Sequence, residues 1–287
     1  MLDSIISIFS FALAFTLVGL NIYLSTRVLN VTDLTCDASV AIGGCSYGAL
    51  VVCGVNPLIS ILISACLGIF SGFMTSCFIS HIKINQVLAS VITLSVLKTF
   101  ILKLASVGNN VGVKELAGKS IMSPAASSAV LAVVVVATVC IFLVKILRSE
   151  YGLAMRVYGN GEVISESLGI NTNGILLIGL GIGNMLAALA GALIAQIAGT
   201  FSVNMGDGSL IFGLAAVIIG EKIIAPSNVF AAISGCFVGS LAYKLIMETA
   251  NLGGASDLGS EYNNLIMGVV LVLLIAIIQN RGKGVPA

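Results

Sequence analysis

Long runs of apolar residues alternate with short polar punctuation along this chain. The runs cover residues 5–24, 38–55, 58–80, 87–107, 125–147, 174–198, 209–220, 229–247 and 262–279. Most come close to the ~20 residues that an α-helix needs to cross the hydrocarbon of a bilayer. The pattern predicts an all-α, polytopic membrane protein with about nine spans, forming one transmembrane domain over residues 1–287. The run 209–220 is the exception. Its helical length of only ~18 Å makes it a broken or partly re-entrant span, lined by protein or by a water-filled cavity.

The polar segments are short, with one exception. Residues 25–37 read as a connector with Arg27, Asp33 and Asp37, and His81, Lys83 and Asn85 mark a corner. Loops are expected over 108–124, 199–208 and 247–261, and a basic tail carries Arg281 and Lys283. The longest water-compatible stretch is 148–174, enclosed by apolar runs on both sides. Its punctuation is that of two short helices with a tight corner. Ser149 is placed to cap 150–157, Gly159 to turn the chain, and Asn160 to cap a second run ending at Leu168, with Gly169 as a left-handed C-cap. Leu153 and Ile164 or Leu168 are expected to anchor this elbow.

Composition removes the soluble classes. Of the 287 residues 58% are hydrophobic and 9% charged, against roughly 25% charged in soluble domains. Mean hydropathy is +1.14. A net charge of +1 implies no nucleic acid and no acidic partner. The N-terminus lacks the basic region of a cleavable signal peptide, and its first apolar run is long enough to span. If the elbow is cytoplasmic, Arg27, Lys83, Lys145, Arg148, Arg156, Lys222, Arg281 and Lys283 lie inside. Lys103, Lys114, Lys119 and Lys244 then lie outside. This positive-inside bias puts the N-terminus outside and the C-terminus in the cytoplasm.

A weak internal repeat runs through the chain. Asp37-x-Ser39-x3-Gly43 returns as Asp207-x-Ser209-x3-Gly213, and Ser64-x-Cys66 returns at the same offset as Ser234-x-Cys236. An odd number of spans separates the copies, so segments 37–80 and 207–247 form an expected inverted pair. Inverted repeats of this kind place a substrate path at their interface.

Few motifs offer chemistry. The seven cysteines, 36, 45, 53, 66, 77, 140 and 236, form no CxxC pair and read as small hydrophobes. With His81 as the lone histidine, no metal cluster, catalytic set or cofactor site is expected. Gly118-Lys119-Ser120 resembles the end of a phosphate loop, but Val113 stands where its glycine is required. Gly44-Cys45-Ser46-Tyr47-Gly48 matches GxSxG, yet Ser46 lies deep in a span and His81 at a corner, a poor geometry for a membrane serine protease. The pairs Gly44/Gly48, Gly68/Gly72, Gly179/Gly183 and Gly235/Gly239 are packing devices. Lys98 sits within a span, where a charge is costly. It either lines a polar path, paired with Asp207 or Glu248, or snorkels outward. Ser39, Ser46, Thr93, Asn184 and Ser209 are further path candidates, although cross-helix hydrogen bonding is the commoner role for such residues.

The elbow sequence EYGLAMRVYGNGEVISESLGI, followed by NMLAALAGALIAQIAGTFSVNMGDGSLIFGLAAVIIGEKI, resembles the permease subunit of bacterial ATP-binding-cassette importers. The similarity is to the branch of branched-chain amino acid and ribose permeases. The residues in common include Gly152, Arg156, Gly159, Asn160, Gly169, Ala190, Gly191, Gly206, Gly213, Ala215, Gly220 and Glu221, with Val157 where the branch often has alanine. The stretch 33–44 is similar too. This resemblance implies a bacterial inner-membrane importer in which two permease subunits, identical or homologous, form the path. Two ATPase subunits dock on the cytoplasmic elbow at 148–173, and a solute-binding protein delivers an amino-acid-like solute or a sugar. Gly152, Arg156, Gly159, Asn160, Glu162, Glu166 and Gly169 would then be coupling residues. The rival reading is a stand-alone ion-coupled transporter with Lys98 and Asp207 as coupling sites.

Overall fold

A computed structural model describes residues 2–106, 114–115, 125–225, 228–252, 268–269 and 272. The helices are α1 (Leu2–Tyr23, continued by a wide π-helical turn, Leu24–Val28), α2 (Cys36–Val52), α3 (Pro57–Ser80), α4 (Gln86–Ala105) and α5 (Ala125–Arg148). They continue as α6 (Glu150–Asn160), α7 (Glu162–Ser167), α8 (Thr172–Ala198), α9 (Ser209–Ile224) and α10 (Val229–Leu252). A two-residue ribbon pairs β1 (Lys114–Glu115) with β2 (Thr200–Phe201), antiparallel, Lys114 opposite Phe201. The architecture is all-α, as the apolar pattern requires. Six helices are long and apolar enough to cross a membrane: Ile6–Val28, Pro57–Ser80, Gln86–Ala105, Ala129–Arg148, Thr172–Ala198 and Val229–Thr249. The expected last span, 262–279, lies outside the described residues except at three helical positions.

Local chemistry sets the helix starts. The Asn56 side chain accepts the Leu58 N–H at 3.0 Å beside Pro57, Asn85 does the same for Val87, and Asn171 for Gly174. An asparagine at the N-cap satisfies a donor that the first helical turn leaves orphaned. In the interior, α8 is the central post. The α2 and α8 backbones meet directly. A Cβ on Gly43 would lie 2.1 Å from the Ala188 carbonyl oxygen, and one on Gly191 would lie 2.0 Å from that of Val40. Small residues permit this approach and the dispersion contacts it gives.

Hydrophobicity is distributed as a membrane demands. Leu62, Phe70, Val91, Phe100, Val134 and Ile141 point outward, while Ser60, Ser64, Ser71, Thr75, Thr93 and Asn184 are buried between helices. Buried hydroxyls mostly bond back to the carbonyl one turn earlier, as Thr93 does to Ala89 at 3.0 Å and Ser64 to Ser60 at 2.8 Å. Such bonding lets a polar side chain sit in an apolar helix without an unmet donor.

The segment 25–37 is not the surface connector its polarity predicts. Past the π-helical turn the chain runs back among the helices. Asp33 is 4% exposed and bonds Asn184, about 18 Å along α8 from its first residue. Helix α2 therefore starts within the bundle. So does α9, because the Leu210 N–H donates to Asp37 Oδ1 at 2.7 Å. From this meeting point α2 runs toward β2, where Gly48 packs on Phe201, and α9 runs toward the elbow, where Glu221 bonds Arg27. Two short helices thus present their first turns to one another at mid-depth.

Candidate functional site

Three regions gather the polar side chains of the described residues: the elbow, a buried knot on α8, and a cavity where α2 and α9 begin.

The elbow is two helices, as its punctuation predicts, but its corner is displaced by one or two positions. Helix α6 continues through Gly159 to Asn160, and Gly161 makes the corner; Asn160 is therefore the last helical residue and not the cap of α7. Gly159 serves proximity instead. A Cβ there would lie 2.3 Å from the Val28 carbonyl oxygen, so the elbow backbone rests on the end of the first span, and Asn30 Nδ2 donates to the Gly159 carbonyl at 3.3 Å. Ser149 occupies the N-cap position of α6 without capping it; its hydroxyl donates to the Ile146 carbonyl at 2.6 Å. Gly169 ends α7 with φ +75°, as expected. Its N–H bonds the Glu166 carbonyl, and the Ile170 N–H bonds that of Ser165, the paired Schellman closure.

The anchoring residues differ from those expected. Gly152, Met155, Tyr158 and Ser165 face the bundle, whereas Leu153, Val163, Ile164 and Leu168 are 53–79% exposed. Amphipathic spacing shows that a short helix has an apolar face, but not which way it points when both faces carry apolar residues. Burial, with Glu162 adding to it, pushes the Tyr158 phenol up to about 12, so it stays a neutral hydroxyl. Gly152 is held against the Leu147 carbonyl, and Arg156 Nη2 donates to that same carbonyl at 3.2 Å, locking α6 to the end of α5. Arg156 also lines a cavity of about 420 Å³ with Tyr23, Arg27, Glu221 and Asn228. On its other side the elbow walls a groove of about 650 Å³, in which Glu162 and Glu166 face Lys83, Asn85, Gln86 and Asn173. Arg27 Nη2 donates to Glu221 Oε2 at 2.6 Å, joining the last turn of the first span to the last of α9.

The knot on α8 joins residues far apart in sequence. Asn184 Oδ1 accepts from Ser39 Oγ at 2.7 Å and lies 3.0 Å from Thr35 Oγ1, whose one proton is taken by the closer Asp33 Oδ1. Its Nδ2 donates to Asp33 Oδ2 at 2.8 Å and to the Leu180 carbonyl at 3.1 Å. Ser39 pairs with Ser71, and Asp33 Oδ1 accepts the Thr35 N–H at 2.9 Å and its hydroxyl. Both amide protons of Asn184 are thus donated, and its oxygen has Ser39 as donor. Ser39 and Asn184 were expected along a path, and the structure brings them together. Asp33, Thr35 and Ser71 were not singled out. The readable signal was Asp33-Leu-Thr35, an Asx turn written into sequence.

The cavity has a volume of about 80 Å³ and is lined by Asp37, Ala38, Ala41, Leu94, Lys98, Ile101, Val203 and Asp207. Lys98 and Asp207 thus line one void, without forming an ion pair among the described residues. Glu248, the other carboxylate considered, lies 3.8 Å from Lys244 on its own helix. Ser209 is the first residue of α9, beside the Asp37 cap. Thr93 and Ser46 are elsewhere: Thr93 is closed on its own helix, and Ser46 bonds Gly43 and Ser64. The GxSxG reading fails on this geometry. Ser46 is 1% exposed and paired with Ser64, while His81 sits at an exposed corner bonded to Ser80. The phosphate-loop-like residues 118–120 lie outside the described residues. Among the described residues no group of His, Cys, Asp or Glu is arranged to hold a metal ion.

Comparison with known proteins completes the description. A family profile described as "Branched-chain amino acid transport system / permease component" matches residues 4–275. The tyrosine transport system permease protein of Clostridioides difficile is 28% identical, over 96% of this chain and 91% of its own length. The ribose import permease protein RbsC of Bacillus subtilis is 23% identical, over 88% of this chain and 76% of its own. The solved structure "PsaBC from Streptococcus pneumoniae in complex with Fab" is 16% identical, with a TM-score of 0.42 over 85% of this chain and 89% of that one.

Proposed function

The chain belongs to the family of branched-chain amino acid transport system permease components, and from that premise we propose that its elbow is the coupling element of an ATP-binding-cassette importer. The chain is the membrane-embedded transport subunit and not itself the ATP-hydrolysing one. The observation that carries the coupling role is the outward face of the elbow. Leu153, Val163, Ile164 and Leu168 are exposed apolar side chains on a segment that also exposes Arg156, Glu162 and Glu166. Exposed apolar side chains accompanied by charges suit a protein partner, with the charges setting specificity. One of the two ATPase subunits of the complex would seat there. Gly159 against Val28 and Gly152 against Leu147 would pass its movement to the first span and to α5.

The wider assembly follows from this reading. A second permease subunit covers the face on which Lys98 and Asp207 open, and a solute-binding protein feeds the side away from the elbow. The solute is amino-acid-like or a sugar, in keeping with the tyrosine and ribose relatives. The chain would have about nine spans, one of them short, its N-terminus outside and its C-terminus in the cytoplasm. The meeting of α2 and α9 supports an inverted repeat of 37–80 and 207–247, because the two helices start together and run apart. ATP drives transport by favouring one conformation of the permease over another.

The test is reconstitution with a cognate ATPase subunit. Uptake into vesicles should require ATP on the elbow side, and Leu153→Asp with Val163→Asp should abolish co-purification of the ATPase without loss of folded permease. Uptake that follows an ion gradient and ignores the ATPase would refute the proposal.

A further inference from the structure

We propose that the cavity at the elbow-side ends of the first span and α10 binds the phosphodiester of an anionic membrane lipid. Arg27, Arg156, Glu221 and Asn228 line the polar side of this 420 Å³ cavity, and Val229 and Ala232 its apolar side. Two guanidinium groups therefore share the space with one carboxylate. Arg27 closes on Glu221 at 2.6 Å, which uses one of its N–H groups. Among the described residues Arg156 takes part in no ion pair within 4.0 Å; it donates to the neutral Leu147 carbonyl. The cavity keeps one uncompensated positive charge, and each guanidinium has N–H groups beyond the one those bonds use.

The depth of the cavity selects the anion. The span Ile6–Val28 ends at it and the span Val229–Thr249 begins at it, which is the level where hydrocarbon gives way to lipid head groups. Beside its α10 wall, Ile223 and Phe230 are 58% and 65% exposed, as side chains bathed in acyl chains are. A phosphodiester suits the guanidinium fork, which matches phosphate oxygens in pairs, and its glycerol and first acyl carbons would lie on Val229 and Ala232. Phosphatidylglycerol brings one negative charge and balances the site. A choline or ethanolamine head group carries its own cation and leaves the excess charge in place. Inorganic phosphate would leave the apolar wall uncovered, and that wall, on a membrane-spanning helix, favours a lipid over an acidic loop of a soluble partner. The inference needs only that these helices cross a membrane and is independent of the coupling role proposed for the elbow.

The experiment is native mass spectrometry of the detergent-purified full chain, titrated with palmitoyl-oleoyl phosphatidylglycerol, the matching phosphatidylcholine, or inorganic phosphate. The first phosphatidylglycerol should be held about tenfold more tightly than the first phosphatidylcholine, the scale of one charge-assisted hydrogen bond. Arg156→Gln should erase most of that preference, and Arg156→Lys, which keeps the charge without the fork, should retain part of it. Asn228 is exposed on the cavity rim, so its substitution spares the fold. Asn228→Glu should weaken the hold on phosphatidylglycerol and Asn228→Lys should strengthen it, a gain that misfolding cannot produce. Lys83→Gln removes a positive charge from a different groove and should leave the preference as it is. Equal retention of the two lipids overturns the site. So does a preference that Arg156→Gln and Asn228→Glu both leave unaltered, or that Lys83→Gln erases to the same extent. Displacement of phosphatidylglycerol by inorganic phosphate at a similar concentration overturns the lipid assignment in favour of a free anion. Loss of ATPase co-purification in Asn228→Glu, with the lipid preference unchanged, overturns it in favour of the soluble partner.

Discussion

Asn184 is the most demanding single position in the structure, and replacing it tests how the first short helix is held. The Asn184→Leu change keeps the branching of the side chain and removes three hydrogen bonds: to Ser39, Asp33 and the Leu180 carbonyl. Ser39 retains Ser71, and Thr35 retains Asp33. The main casualty is Asp33 Oδ2, left without its donor in a residue 4% exposed. A buried acceptor stripped of its partner costs about 1–3 kcal/mol, and the other lost bonds bring the sum to about 2–4 kcal/mol. Asn184→Asp should be worse, about 3–5 kcal/mol, because it sets oxygen against oxygen where Nδ2 now sits 2.8 Å from Asp33. Combining Asp33→Asn with Asn184→Asp returns one donor to that pair and should recover at least half of the loss. Unfolding in mixed micelles of dodecyl sulfate and dodecyl maltoside, followed by helical circular dichroism, gives each difference. Asn184→Leu within about 0.5 kcal/mol of wild type, the range of a bland surface change, would refute the reasoning. So would a double variant no better than Asn184→Asp alone.

Three further outcomes follow from the same contacts. Gly159→Val forces a side chain onto the Val28 carbonyl, 2.3 Å from the ideal Cβ; ATP-driven uptake should be lost while the protein remains monodisperse by size-exclusion. Gly191→Val must part α8 from the Val40 carbonyl, 2.0 Å from the ideal Cβ, and should cost about 3 kcal/mol in the micelle unfolding assay, the upper range for overpacking. Arg27→Glu and Glu221→Arg should each reduce uptake and together restore it. The pair is 52% and 28% exposed, so the stability change stays within about 1 kcal/mol and uptake is the informative readout.

The sequence by itself determined the class of protein, the helical nature of nearly every segment, and the presence of a polar elbow closed by Gly169. These are local properties: an apolar run long enough to cross, an asparagine before a helix, a glycine where φ is positive. The family resemblance was legible for the same reason, since it sits in contiguous motifs. What only the tertiary structure decided depends on partners far away along the chain. Asp33 reads as surface polarity until Asn184, 151 positions later, meets it inside the bundle. Asp37 reads as the end of a connector until it caps α9 across 173 positions. The elbow's apolar residues could anchor it or face outward, and their spacing is the same either way. Periodicity fixes which residues share a helical face, whereas packing against α5 and the first span fixes where that face points. The cavity shared by Lys98 and Asp207 exists because two short helices begin at one depth, and no local pattern encodes that convergence.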